Sequence, residues 1–517
     1  MDDIYTAWKP IRNFLRKTDP KTALEVLRYY SLFSGTPGVR PPAPPSYIEV
    51  HQGVMTREFI GILPWDIEVL AREVVYSSEE GQRSYDYDLR QWRHFGNLME
   101  KLRRLDNKIS EVGIGQDNIL LEMFRIGHRQ FPHQQDTMSK ATIVRYGRLF
   151  THAEVAPIVV DNTGLPYEKI ATIGIGFWGK FNDYAAISHP TQGFDGTNIT
   201  KGDLEHFLGL YSKSFQEMKA LVNDSHVVDN TFLYQYSPLN AYPLVKFERD
   251  SEATYVCTSV NRFSSQITRG VYYMLYSDSR FDNAFGNAFE DYVGEVLTHT
   301  AEGVGSYMVY SQETDPSSGK RRCDWILEQG DEFVMIECKT KRMAIGGYTV
   351  LDDDTVLVDQ LGKIADAVVQ TYQGYLVYKG DGYNPPVYPY TSRKKAAICV
   401  VTLEKWYLYG VPLEKLHQIV KEKLAEKGID VAIIEEAPYE VMGVDDFEKL
   451  AYLASQGELV RDMFGTHAEG DEVSHEFSVF MNNNYKDKLE NYDYVFGDDL
   501  DLYITPGQDE VNDQEPN

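Results

Sequence analysis

The stretch RRCDWILEQGDEFVMIECKTK, residues 321–341, constrains the fold more than any other part of this chain. Gly330 and Asp331 separate two short apolar runs. Glycine first in a two-residue loop suits a type II′ turn, whose twist matches that of a β-hairpin. With that loop, Cys323 pairs with Cys338, Trp325 with Ile336, and Leu327 with Val334. Side chains alternate along a strand, so these residues make one apolar face. The other face pairs Arg322 with Lys339, Asp324 with Glu337, and Ile326 with Met335. Asp324 and Glu337 become cross-strand neighbours, with Cβ atoms roughly 5 Å apart. Two carboxylates that close repel unless a proton or a cation lies between them. Lys339 shares their face. A hard divalent cation suits such a place: Mg²⁺ takes one or two protein carboxylates and fills its other positions with water and phosphate oxygens. Mn²⁺ can substitute.

The competing reading is a surface hairpin with three solvated charges. Opposed acids are a poor structural pair, and the apolar flanks point to central strands. Cys323 and Cys338 read as buried thiols. Cross-strand geometry would permit a disulfide, but a chain whose four cysteines form no CxxC pair belongs by default to a reducing, cytoplasmic compartment.

At 517 residues the chain is too long for one core, so two or three domains are expected. Its 43% hydrophobic and 25% charged content is that of a globular protein. No apolar run reaches transmembrane length, and no membrane partner is expected. MDDIYTAWKPIRNF lacks the basic-then-apolar order of a signal peptide. The net charge of -27 argues against coating nucleic acid by charge alone, though not against a local basic groove. The C-terminal GDDLDLYITPGQDEVNDQEPN carries acids and no base, and reads as a mostly disordered, solvating tail.

Four segments follow. Residues 1–47 hold a helix and a Pro-rich connector, TPGVRPPAPPSY. Residues 48–259 read as a largely helical N-terminal region. LRQWRHFGNLMEKLRRLDNKI and DLEHFLGLYSKSFQEMKALV carry helical periodicity, and APIVV and IATIGIGFW fit strands or buried helix. Residues 260–480 read helix, three strands, a long helix, a strongly apolar strand and further helices, an α/β mixed domain with a central sheet. Residues 481–517 are the acidic tail.

An acid opening one strand and Glu-x-Lys on the next resemble the PD-(D/E)xK, restriction-endonuclease-like nuclease superfamily. Cys323 stands where the name-giving proline would be, and Glu337-Cys338-Lys339 matches the ExK element. Gly-x-x-Phe-Glu in FGNAFEDYVGEVL resembles the family's preceding helix and offers Glu290; Glu295, further along, reads as solvated. The resemblance covers about 280–410, in the C-terminal half only. It implies a restriction-endonuclease-like core and a Mg²⁺-dependent phosphodiester hydrolase. It implies that Asp324 and Glu337 ligate the metal, with the Cys338 carbonyl adding an oxygen. Lys339 would position the attacking water, Glu290 would hold a water on the metal or a second ion, and Gln370 would support the site. The expected activity is that of a DNA endonuclease of a bacterial restriction or phage-defence system. Under that reading residues 48–259 would serve as a sensor or partner module responding to a protein trigger, and a homodimer would supply two sites. An RNA or tRNA nuclease with the same site, and a non-catalytic nucleic-acid or protein-binding module on the same scaffold, are the alternatives.

On the long helix after the hairpin, Lys363, Ala367, Gln370 and Gly374 share one face. Gln370 is the candidate to touch a phosphate, with Gln360 the weaker one. Lys320, Arg321, Arg322, Lys341 and Arg342 surround the hairpin, a local reversal in an acidic chain that suggests a phosphate-backbone track.

Two signals are set aside. GIGFWGKF, residues 174–181, holds a Gly-x-Gly-x-x-Gly, but Phe181 follows Gly179-Lys180 where a P-loop needs Ser or Thr, and its bulk suits a buried strand. His128 and His133 are off the helical spacing of a zinc pair and read as a polar loop.

Overall fold

The computed structural model describes residues 2–32, 45–51, 62–113, 119–133, 137–194, 197–250, 252–304, 307–311, 322–342, 355–380 and 388–504. The fold is mixed α/β, mostly helical, with two small mixed sheets flanked by helices. The chain forms two compact units. The first holds residues 1–117, 129–279 and 498–517; the second holds 118–128 and 280–497. The cut therefore falls at 279/280 rather than 259/260, and segment 1–47 shares a unit with the region that follows it.

In the first unit, helices α1 (Asp2–Leu15), α2 (Pro20–Ser31), α3 (Pro64–Ser77) and α4 (Trp92–Gly113) share one apolar core. Asp19 caps α2, its carboxylate accepting the Thr22 amide, with Pro20 set in the first turn. A four-stranded sheet runs in the order β1 (Ala186–Ile187), β4 (Glu252–Cys257), β3 (Leu244–Arg249), β2 (Ser212–Ser214). Helix α3 carries a buried and a half-buried carboxylate with distant partners. Glu73 accepts from the Trp8 indole at 2.8 Å and lies 2.9 Å from His226 Nε2. Glu68 is gripped twice by Arg262, at 2.6 and 2.8 Å.

Three expectations change here. APIVV and IATIGIGFW are both helical, the second inside α5 (Tyr167–Asp183). Gly174 and Gly176 are packing positions: a Cβ would meet Ile267 at 2.7 Å and Phe194 at 2.9 Å. The buried strand expected at GIGFWGKF is thus a buried helix, because apolar runs do not distinguish the two. His128 and His133 are not in a polar loop. His128 lies in the last turn of the helix Ile119–Gln130, its ring edge-on to Phe124 and Tyr407, and burial pushes it down to about 4. His133 is buried in the first unit, 3.4 Å from Glu68. The acidic tail is ordered in its first part: residues 497–504 are helical, and Tyr503 is buried with its ring where a Gly147 Cβ would sit. Aromatic burial outweighs the local charge. Residues 505–517 lie outside the described residues.

The second unit is built on a five-stranded sheet, ordered β5 (Met308–Ser311), β6 (Trp325–Gln329), β7 (Glu332–Lys339), β8 (Lys395–Thr402), β9 (Tyr439–Gly443). Strands β5, β6 and β7 form an antiparallel meander, while β7, β8 and β9 run parallel. Strands β7 and β8 are buried almost throughout, as parallel strands covered on both faces must be. Helix α6 (Phe281–Val304) precedes the meander, and α7 (Thr355–Lys379) crosses from β7 to β8. Phe333, Met335, Ile398 and Val400 share a core with Leu361, Val368 and Tyr372 of α7 and with Leu416 and Val420 of α8 (Val411–Glu426). Trp325 alternates with Ile326, so it faces away from α7, toward α6. Helix α6 is fastened to α9 (Val444–Ser455) by the Tyr292 hydroxyl, which donates to Glu448 at 2.6 Å.

Candidate functional site

The hairpin has the expected register from Gln329↔Glu332 through Trp325↔Ile336. Gly330 takes φ +63, the value a type II′ turn needs first in its loop, and Asp331 does not follow it to positive φ. One step further the register departs from expectation. The Asp324 amide donates to the Ile336 carbonyl at 2.9 Å, so Asp324 and Trp325 both stand opposite Ile336, as at a β-bulge. Asp324 is not the simple cross-strand partner of Glu337. Its carboxylate reaches across instead, and Oδ2 accepts the Cys338 amide at 2.7 Å. The displacement also moves Cys323, which joins the core against α7 rather than facing Cys338. All four cysteines are free and buried.

Glu337 is 3% exposed and Asp324 5%. Lys339 Nζ donates to Glu337 Oε1 at 2.6 Å, and Gln370 Nε2 donates to the same oxygen at 3.3 Å. Burial pushes the Glu337 carboxyl up, to about 7. The Asp324 charge and, more weakly, that of Glu290 push the same way, against Lys339. For Lys339, burial alone would lower the ammonium, but the Glu337 carboxylate outweighs it and the net direction is up. The fold thus gathers Asp324, Glu337, Lys339, Glu290 and Gln370 into one electrostatic neighbourhood. Cys338 brings its main chain: its amide faces the β6 edge, and strand geometry turns its carbonyl the same way, toward Asp324.

Glu290 comes from α6, whose main chain is tied to β6: the Trp325 indole donates to the Glu290 carbonyl at 2.9 Å. Gln370 comes from the exposed side of α7. Lys363 is engaged with Asp359 at 2.6 Å, Ala367 is buried, and Gly374 lies against the Arg322 main chain. Gln360 is buried and donates to Asp359. Glu295 is exposed.

The basic residues divide. Lys320 and Arg321 lie outside the described residues. Arg322 is buried, its guanidinium 5.4 Å over the Tyr378 ring, so it faces the interior rather than a phosphate track. Arg342 is buried too and paired with Glu404 at 3.5 Å. Lys341 is exposed. Sequence reasoning placed these two arginines by their charge, yet aromatic and acidic partners distant in the chain take them inward. It also passed over Trp325, whose indole needed a hydrogen-bond partner once half buried.

Among the described residues, no group of three or more His, Cys, Asp and Glu side chains stands ready to hold one metal ion. The donor set is nevertheless chemically suited to a hard cation. Buried carboxylate oxygens sit where negative charge is under-compensated, beside a main-chain carbonyl. No described helix is long and apolar enough to cross a membrane. Comparison of the chain with protein-family models, with curated proteins and with solved structures found no match.

Proposed function

We propose that this chain is a Mg²⁺-dependent nuclease hydrolysing phosphodiester bonds, a DNA endonuclease in its leading form. One observation carries the proposal. A buried Glu337, with Asp324 and Glu290 raising its pKa, shares an oxygen with the Lys339 ammonium at 2.6 Å. Perturbed carboxylates beside a lysine are expensive to bury for structure alone, and they cluster at reactive sites. The element order supports the restriction-endonuclease-like reading: a helix bearing Glu290, a three-stranded antiparallel meander, the α7 crossover and a parallel strand.

Asp324, Glu337 and the Cys338 carbonyl would hold Mg²⁺, with Mn²⁺ as substitute. When bound, the ion supplies Lewis acidity at the scissile phosphate. The chain's own groups do the rest. The Lys339 ammonium stays protonated, donates toward the charge developing on phosphorus and orients the attacking water. The Gln370 amide, already donating to Glu337, keeps that carboxylate turned to one side. Glu290 adds an acceptor at the rim.

The test is cleavage of plasmid DNA and of structured RNA, with Mg²⁺ and with EDTA, by the parent and by Glu337→Gln and Lys339→Ala. DNA cleavage that stops with EDTA and falls by ~100-fold or more in each variant is expected. Equal cleavage by all three forms removes this site from the chemistry, and RNA cleavage alone moves the substrate to RNA.

The Asp324–Cys338 hydrogen bond favours a second reading, a non-catalytic nucleic-acid or protein-binding module, because it gives Asp324 a structural task. Under it, nucleic-acid binding survives Glu337→Gln and no form cleaves.

A further inference from the structure

Segment 322–325, which presents Asp324, runs between two helix glycines. On α6, a Cβ at Gly294 would lie 2.0 Å from Cζ2 of Trp325. On α7, a Cβ at Gly374 would lie 2.5 Å from the Arg322 carbonyl oxygen. A larger residue at Gly294 requires the Trp325 ring to shift, and one at Gly374 requires main chain to shift. Both glycines stand one turn past the site residue of their own helix, Gly294 after Glu290 and Gly374 after Gln370. Two further contacts hold the same arrangement. The Trp325 indole donates to the Glu290 carbonyl at 2.9 Å, and the Arg322 guanidinium continues along α7 to lie over Tyr378, one turn past Gly374. Glycine inside a helix is unfavourable, so both positions need a reason in packing. Close approach of the Trp325 ring to α6 and of the Arg322 main chain to α7 is that reason.

We propose that Gly294 and Gly374, with Trp325, are positioning residues: they clamp the Asp324 segment between two helices and thereby set how near Glu290 and Gln370 come to Glu337. This rests on the metal-site reading above. Side chains in helices project over the preceding turn, so Glu290 and Gln370 lean away from the glycine one turn later, which is left to receive the Trp325 ring on α6 and the Arg322 main chain on α7. Widening either gap carries the site residue away with its helix, without touching its chemistry.

The test measures Mn²⁺ binding to the full chain without substrate, by the paramagnetic resonance of the free ion, in the parent, Glu337→Gln, Gly294→Ala, Gly374→Ala, Trp325→Phe and Gly294→Ala/Trp325→Phe. Circular dichroism and melting report folding. The expected result is folded variants with Mn²⁺ affinity lowered by ~10-fold, as for groups that orient metal ligands, and kcat lowered while KM for DNA holds. Gly294→Ala should cost less when Trp325 is already Phe, because the ring it strikes is smaller. Folded variants that keep the parent's Mn²⁺ affinity and kcat overturn the clamp and leave the metal-site reading standing. If a glycine variant does not fold, Trp325→Phe, which adds no volume, decides by the same criterion. Parent affinity equal to that of Glu337→Gln overturns the metal-site reading, and the clamp with it.

Discussion

Asp324 has two tasks that can be separated by substitution. One oxygen accepts the Cys338 amide, replacing a ladder bond just before β6 begins at Trp325. The carboxylate charge, in turn, acts on Glu337. Asn keeps an acceptor oxygen and removes the charge, while Ala removes both. Asp324→Asn is therefore expected to unfold in urea near the parent's midpoint and to lose cleavage. Asp324→Ala should lose cleavage and, in addition, ~1–3 kcal/mol of stability, since it strands a buried amide. Equal stabilities for the two variants would mean that the Cys338 amide finds another partner.

At the scale of elements, the carboxyl ends of the parallel strands gather charge beyond the site. Lys339 of β7 is in register with Thr402 of β8, and Thr402 with Gly443 of β9. Beside Gly443, a small cavity is lined by Thr402, Trp406, Asp446, Glu476 and Phe477. Lys405 pairs with Asp446 at 2.8 Å and with Asp445 at 3.4 Å. Burial pushes Asp446 up to about 6 and Glu476 up to about 7; Lys405 pulls both down without cancelling the effect. The unfolded chain ionises Glu476 near its ordinary value, so the native state holds the proton longer. Stability contributed by the protonated form is full below about pH 4.5 and lost as pH rises through about 7. Glu476→Gln is expected to match the parent below about pH 4 and to exceed it by ~3 kcal/mol at pH 8, read from urea unfolding at each pH. A pH-independent difference would place the Glu476 proton elsewhere.

Across the whole molecule, chain order and unit membership diverge. Residues 118–128 are far from 280–497 in sequence, yet Phe124 is buried in the second unit's core with Trp406 and Leu408. Phe124→Ala should cost ~3–5 kcal/mol and lower the melting of the second unit, with the first unit's transition unmoved in calorimetry. A shift of the first unit's transition instead would assign the segment to the other core.

The amino-acid sequence by itself determined what depends on neighbours along the chain. Alternation and the Gly330-Asp331 turn carried the hairpin and its register as far as Trp325 and Ile336. Helical periodicity and order carried α6, α7 and the buried β8, and the Glu-x-Lys spacing put Glu337 and Lys339 on one face. Tertiary structure decided what depends on which surfaces meet. It shifted Asp324 off its expected partner, because an end of β6 left the Cys338 amide needing an acceptor. It turned Arg322 and Arg342 inward, where Tyr378 and Glu404 wait. It brought β9, hidden between helical patterns, into the sheet, and it ordered residues 497–504 against charge by burying Tyr503. The physical reason is range. Turn preference and side-chain alternation act over a few residues, whereas desolvation, close packing on a glycine and the charge felt by a buried carboxylate are set by residues tens or hundreds of positions away.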